Sequence, residues 1–167
     1  MDDLPGGWTP EVVLGGQPDR VVVRARRPGE APVVIKATPP AAGWSSRAAL
    51  RREARLLQSA QGDGVVRLVD ILDRHGCTAI VLGFVPAGSL ADSPAPDPDL
   101  VVAHLTATVD RVRRLGVAHG ALHPEHVLLD ADGHPRLCGF GGAHQTTSPD
   151  PDGPALAALI RTIRSGS

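Results

Sequence analysis

The stretch HGALHPEHVLLDADGHPRLCGFGGA, residues 119–143, constrains this chain more than any other. A turn precedes the apolar run VLL, the turn DADG follows it, and a second run, PRLC, ends at an aromatic held between glycines. Asp and Gly at those offsets predict a tight hairpin of two short strands, with Asp130 as a turn former. Three histidines, His119, His123 and His126, fall within the same segment. Their spacing matches no recognised zinc motif, so no metal site is expected there.

Length and charge bound the rest. A chain of 167 residues makes one domain, or two small lobes of one domain, with room for a real core. Basic and acidic residues nearly balance, 17 against 18, which gives no reason to expect nucleic acid or an anionic membrane as a partner. The opening MDDLPGGWTP is acidic and broken by Pro and Gly, unlike a secretory signal. No apolar run approaches the length a bilayer requires. Cys77 and Cys138 lie far apart in apolar, strand-like segments and are expected as two buried thiols of a cytosolic protein. With no Tyr, and only Phe84, Phe140, Trp8 and Trp44 as aromatics, the core must be aliphatic. A soluble, cytoplasmic protein is expected.

Periodicity divides the chain into two halves. DRVVVRARR and APVVIKAT are β-branched runs separated by the hairpin signal PGE. SSRAALRREARLLQSA carries Leu50, Ala54 and Leu57 at helical spacing, with Ser45 or Ser46 available as a cap. GVVRLVDILD and CTAIVLGFV predict two further strands joined by RHG. PAGSLADSPAPDPD is too rich in Pro, Asp and Ser for regular structure and is expected as a linker. In LVVAHLTATVDRVRRLG, Val101, Leu105, Val109, Val112 and Leu115 form one helical stripe. A last short helix is expected over PALAALIRTIR. The order predicts an α+β chain with a five-stranded first half and a mainly helical second half.

This arrangement resembles the protein kinase fold, including its aminoglycoside-phosphotransferase-like relatives, over about residues 12–160. VVIK looks like the third-strand lysine motif, with Lys36 in the phosphate-contacting place. RREARLL looks like the helix that supplies its partner, Glu53. AIVLGFVPAGSL looks like the strand entering the hinge, with Leu82 as gatekeeper. VAHGALHPEHVLL resembles the catalytic loop and PRLCGFGGA the strand that ends in the DFG motif. DGPALAAL resembles the start of the central helix, with Asp152 bracing the catalytic loop. The resemblance implies a bilobal kinase-like fold with a five-stranded antiparallel N-lobe over residues 1–85, a hinge or linker over 86–98 and a reduced, mainly helical C-lobe over 99–167. Val21, Val34 and Leu128 match the residues that sandwich an adenine; Val34 stands where Ala is usual and should narrow the pocket roof. Leu57, Leu68, His119 and Phe140 match the apolar spine.

Residue by residue, the resemblance also implies a site without its chemistry. Phosphoryl transfer needs a positioned base and metal ions that neutralise phosphate charge. The base position is Ala121, the metal-binding Asn position is His126, and the metal-binding Asp of DFG is Gly139. Ala and Gly carry no ligand, and neutral imidazole suits hard Mg²⁺ poorly. In LGGQPDRV, Pro18 and Asp19 fall where small residues should cradle phosphates. Proline removes an N–H, and Asp repels a triphosphate.

The expectation is therefore a degenerate, truncated, minimal bacterial pseudokinase that is not an enzyme and acts as a binding, scaffolding or regulatory protein. No cofactor is expected. Weak ATP binding without Mg²⁺-dependent catalysis, in a pocket of Val21, Val34, Lys36, Glu53, Leu82 and Leu128, is the most the site should allow. His126 is expected to plug the vacated metal position, and Lys36 and Glu53 to hold the helix as a salt bridge. One alternative is an atypical nucleotide-dependent phosphotransferase using acids such as Glu125 or Asp130. Another is a kinase-derived cleft that binds or transforms a different small molecule. Because nothing matches the later C-lobe helices, the final helix should show an uncovered stripe of Leu156, Leu159, Ile160 and Ile163. Leu159 and Ile163 above all should meet another protein or a second copy.

Overall fold

β-Branched runs in the first half of the chain settle into five strands in the computed structural model, which describes Leu4, residues 6–74 and residues 76–166. They are β1 (Thr9–Gln17), β2 (Arg20–Arg26), β3 (Val33–Ala37), β4 (Leu68–Arg74) and β5 (Cys77–Gly83). All pair antiparallel in one sheet of order β1-β2-β3-β5-β4. Three helices accompany them among the described residues: α1 (Trp44–Ala60), α2 (Pro98–Arg114) and α3 (Gly153–Ser165). The chain is α+β and divides into two units, one running to Arg55 and including Arg67–Phe84, the other made of Leu56–Val66 and the chain from Val85 onward. The expected RHG turn between β4 and β5 includes His75, which lies outside the described residues.

In the first unit, alternation sorts the sheet's faces. Val33, Ile35 and Ala37 are buried while Val34 and Lys36 between them are half-buried. The buried set joins Trp8, Val23, Ala25, Ala79 and Val81 in one cluster. Each fully buried Val or Ile of this cluster contributes about 1.5–3 kcal/mol before the entropy of ordering it is charged. α1 begins at Trp44, a residue ahead of the expected start, so Ser45 and Ser46 lie inside its first turn rather than capping it. Arg51 on α1 grips Asp73 on β4 at 2.7 and 2.8 Å.

The second unit is built around α2. Asp97 caps it by accepting from the N–H of Leu100 at 3.0 Å, and Pro98 sits in the first turn, where no N–H is needed. Val101, Leu105, Val109 and Val112 are buried, but Leu115 is 51% exposed. The expected stripe breaks there because the helix ends at Arg114, and Leu115 leaves the helical track as its cap. β7 (Val127–Leu129) pairs with β8 (Pro135–Leu137), and β6 (Val117–Ala118) pairs with β9 (His144–Gln145). Most of the segment expected as a linker belongs to this unit. Ala87 N–H donates to the Leu129 carbonyl, Leu129 to Gly88, and Leu90 to Val127, so it lies along β7 like a further strand.

Residues 61–66 are fastened to the same unit. The Arg111 guanidinium donates to the carbonyls of Ala60 and Asp63 at 3.0 Å and of Gln61 at 3.1 Å, satisfying acceptors that the end of α1 leaves open. Arg136 on β8 bridges Asp63 and Asp130. α3 packs on α2, so Leu159 is only 3% and Ile163 only 6% exposed. This corrects the expected interface: those two side chains complete their own unit's core, and Leu156 and Ile160 are the half-buried members of the stripe. Among the described residues, no helix is long and apolar enough to cross a membrane.

Gly64 shows how tight this fastening is. Its φ is +78°, and a Cβ there would stand 1.8 Å from the Thr108 hydroxyl oxygen. Gly29 has the same φ with open space around it. Replacing Gly29 with Ala should cost only left-handed backbone strain, about 1–3 kcal/mol. Gly64→Ala should cost clearly more, because Thr108 must also move. Urea midpoints of the two variants measure the difference.

Candidate functional site

The loop between β6 and β7 is held by one buried carboxylate. Asp152, just before α3, accepts from the backbone N–H of His119 at 2.7 Å and of Gly120 at 2.9 Å. A charged acceptor for two N–H groups is a strong restraint, and it sets the course of the HGA segment. Gly120 is needed there. It has φ +72°, and a Cβ would lie 2.4 Å from the Gly142 carbonyl oxygen. A side chain at 120 has no room unless the 139–142 turn moves.

The His119 ring, only 1% exposed, is polarised by its neighbours. Its Nδ1 accepts from the Ala121 N–H at 3.3 Å, so Nε2 carries the proton and donates to the Cys138 carbonyl at 2.8 Å. Burial lowers its pKa to about 4; the Cys138 carbonyl and the Asp152 charge oppose that shift, and His126 and His123 reinforce it. The ring meets Phe140 edge-on at a centroid distance of 4.7 Å, and Phe140 is itself buried.

Ala121, His126 and Gly139 come together in this unit. The His126 Nδ1–H donates to the Ala121 carbonyl at 2.7 Å. Gly139 adopts φ +78°, and a Cβ at that position would fall 2.3 Å from His126 Cδ2 and 2.6 Å from its Cγ and Nε2. The imidazole thus fills the space in which any side chain at 139 would begin. His123 is exposed, with its ring 6.1 Å from that of His126. Both His119 nitrogens are committed to backbone partners, so the three imidazoles do not converge on one point. Glu125 is exposed. The Asp130 carboxylate accepts from the N–H groups of Asp132 and His134 and from Arg136, which uses it up in the turn.

The first unit holds the other grouping. Lys36, the chain's single lysine, donates to both carboxylate oxygens of Glu53 at 2.6 and 2.7 Å, with Glu53 buried. Arg20 Nη1 stands 3.9 Å from the same carboxylate. Val34 lies opposite Leu82, and Lys36 opposite Ile80, on one face of the sheet. Val21 is not on that face. It pairs with Ala37 and packs into the cluster of Trp8, Val23 and Ile35. Val22, the partner of Lys36, takes the place expected of Val21, because a shift of one residue reverses the face. Leu68 is half-buried in this unit, while Leu57 is buried and Leu128 half-buried in the other.

The segment that resembles a phosphate-binding loop is a tight hairpin. β1 and β2 pair as far as Gln17 and Arg20, leaving only Pro18 and Asp19 to turn the chain. Cys77 and Cys138 are half-buried, and burial raises the Cys77 pKa, with the Asp73 charge adding to it.

No protein-family profile matches the chain. Over 99 residues it is 28% identical to the serine/threonine-protein kinase LATS1 of Homo sapiens, 29% to the hormonally up-regulated neu tumor-associated kinase of Mus musculus and 28% to the serine/threonine-protein kinase WARTS homolog of Caenorhabditis elegans. Each match takes in 55% of this chain but only 9%, 14% and 11% of those proteins. The similarity is distant and kinase-like, and it reaches only a small part of each relative's length.

Two tests follow from the loop geometry. Below the ordinary His pKa of 6.5 the unfolded chain takes up a proton that folded His119 refuses until about 4. Stability should therefore fall as pH drops from 6.5 to 4, by about 3 kcal/mol from this residue. His119→Gln, measured by urea unfolding across that range, should flatten the dependence. Separately, Gly139→Ala should destabilise the fold, and adding His126→Ala should recover part of the loss. A coupling of about 0.5–3 kcal/mol in that double-mutant cycle is expected.

Proposed function

We propose that this protein is a minimal pseudokinase, a kinase-like chain that binds, scaffolds or regulates another protein without transferring phosphate. The distant similarity to serine/threonine kinases supports the kinase-like part. So does the Lys36–Glu53 pair on a five-stranded antiparallel sheet and its helix. The observation that carries the inactive part is the His126 ring lying 2.3–2.6 Å from where a side chain at 139 would start. A metal-holding carboxylate at 139 has no room, Ala121 offers no base, and the His126 Nδ1 proton is spent on the Ala121 carbonyl. Phosphoryl transfer rests on positioned charge, and a site that fills those positions with apolar contact and backbone hydrogen bonds lacks its main source of rate.

The same packing explains why the missing groups are not simply restored. Asp at 139 would have to displace an imidazole that is hydrogen-bonded in place. The Pro18–Asp19 turn leaves few free N–H groups for a triphosphate. A protein partner is the occupant we propose for such a chain, acting in the cytoplasm. Leu156 and Ile160 on α3 are the large apolar side chains of that helix that stay half-buried rather than buried.

The test is incubation with radiolabelled ATP and Mg²⁺ or Mn²⁺, alone and with generic protein and small-molecule acceptors. No transfer above the buffer rate is expected. The triple variant Ala121→Asp, His126→Asn, Gly139→Asp should also remain inactive. Metal-dependent, stoichiometric transfer by the unmodified chain, abolished by Lys36→Ala, would overturn the proposal.

A further inference from the structure

Two histidines from different elements of the second unit meet face to face. His104, exposed on α2, stacks on half-buried His134 at the start of β8, with ring centroids 4.8 Å apart and planes within 9° of parallel. Both rings lie in the wall of an open groove of about 440 Å³ that Asp63, Thr108, Arg111 and Arg136 also line. Neither ring belongs to the cluster of Ala121, His126 and Gly139.

A second observation, from the turn between β7 and β8, points to the same place. In DADGH, residues 130–134, one ligand atom each of Asp130, Asp132 and His134 lies within 4.8 Å of the other two. Asp130 is engaged by Arg136 and by the N–H groups of Asp132 and His134, so its part is to fix the turn that presents them. Its carboxylate still stands 3.7 Å from His134 Nδ1, where its charge favours a cation. Arg136 is matched by two carboxylates, Asp63 and Asp130, so Asp132 brings a further negative charge to the imidazoles. Imidazole nitrogen beside carboxylate oxygen is the donor set of Zn²⁺ and its borderline neighbours, whereas hard Mg²⁺ and Ca²⁺ take oxygen alone.

We propose that His104, His134 and Asp132 form a site for a divalent metal ion of the Zn²⁺ class, which clips α2 to the β7–β8 hairpin. Three protein ligands leave a fourth position toward the groove, open to water or to a donor from a partner. Ligands of one tetrahedral Zn²⁺ stand about 3.3 Å apart, given bonds of about 2.1 Å. Parallel rings do not converge on one ion, so binding turns the His104 ring and draws Asp132 inward. Both side chains are exposed and free of packing that would oppose this. The site goes beyond the pseudokinase reading and does not depend on it.

The test uses the full chain, stripped with EDTA and dialysed, with Zn²⁺ or Co²⁺ alone as the probe. Calorimetry should show a single saturable Zn²⁺ site, and the melting temperature should rise with Zn²⁺ and return with EDTA. His104→Ala and His134→Ala should each weaken binding by about tenfold or more, and Asp132→Asn should weaken it too. His123→Ala, at an exposed imidazole elsewhere, should leave it unchanged. Co²⁺ should broaden the ring protons of His104 and His134 ahead of those of His123 and His144. His104 and Asp132 are exposed, so their variants keep the question open to refutation should His134→Ala fail to fold. Equal Zn²⁺ affinity in the parent, His104→Ala and Asp132→Asn would overturn the site. Broadening centred on His123 or His144 would also overturn it, since the metal would then be held by an adventitious surface imidazole only. Displacement of Zn²⁺ by excess Mg²⁺ would overturn the assignment of metal class. No nucleotide enters this experiment, so phosphate transfer by the chain would sink the pseudokinase reading and leave the metal site standing.

Discussion

A single buried carboxylate, that of Asp152, organises the loops of the second unit. Its two oxygens hold the N–H groups of His119 and Gly120 and so place the His119 ring. The ring's tautomer follows from the Ala121 N–H on one nitrogen, and its other nitrogen reaches the Cys138 carbonyl. Cys138 leads directly into Gly139, against which His126 packs. Each step depends on the one before, and the series begins at a charge whose removal would leave two N–H groups without their acceptor.

The three glycines of this cluster carry much of its meaning. Gly120, Gly139 and Gly142 let two loops approach until backbone nearly touches backbone or ring. In a site meant for phosphates and metal ions, the same space would hold carboxylates and water. Here it holds an imidazole and carbonyl groups, which gain packing and hydrogen bonds at the expense of a place for charge. The first unit keeps a buried ion pair, Lys36 with Glu53, in which both carboxylate oxygens accept from the one ammonium. A buried pair of this kind is weak evidence for stability in itself. It is better read as a register pin between α1 and β3.

Much of the fold was legible because period-two and period-3.6 burial signals are strong in an aliphatic chain. The five strands, the β2–β3 hairpin and the stripe of α2 as far as Val112 follow from that patterning, while the antiparallel order of the whole sheet was implied by the resemblance. What escaped was short-range geometry. Val21 differs from Val22 only by a register of one residue, which no composition signal reveals. Leu159 and Ile163 are buried because α2 lies along α3, a contact that amphipathic spacing alone cannot distinguish from an exposed face. Arg111, which no motif singles out, closes the carbonyls of Ala60, Gln61 and Asp63. The Gly64 and Gly62 bends that it and Thr108 pack against were the available signal. Of the candidate site, the grouping of Ala121, His126 and Gly139 was implied by the kinase-like resemblance, not by composition or spacing. The contact that fills the space at 139 could not be inferred, since a ring's rotamer is set by the carbonyl it finds.

The most direct measurement is paramagnetic broadening of the ring protons of His119, His126 and Phe140 on addition of Mn²⁺ with ATP. A loop cluster already filled by the His126 ring gives no broadening at these protons beyond that of exposed surface resonances such as those of His123. Strong, ATP-dependent broadening centred on His126 and Phe140 would mean that a metal–nucleotide complex enters the space around Gly139, and would contradict a closed, non-catalytic site.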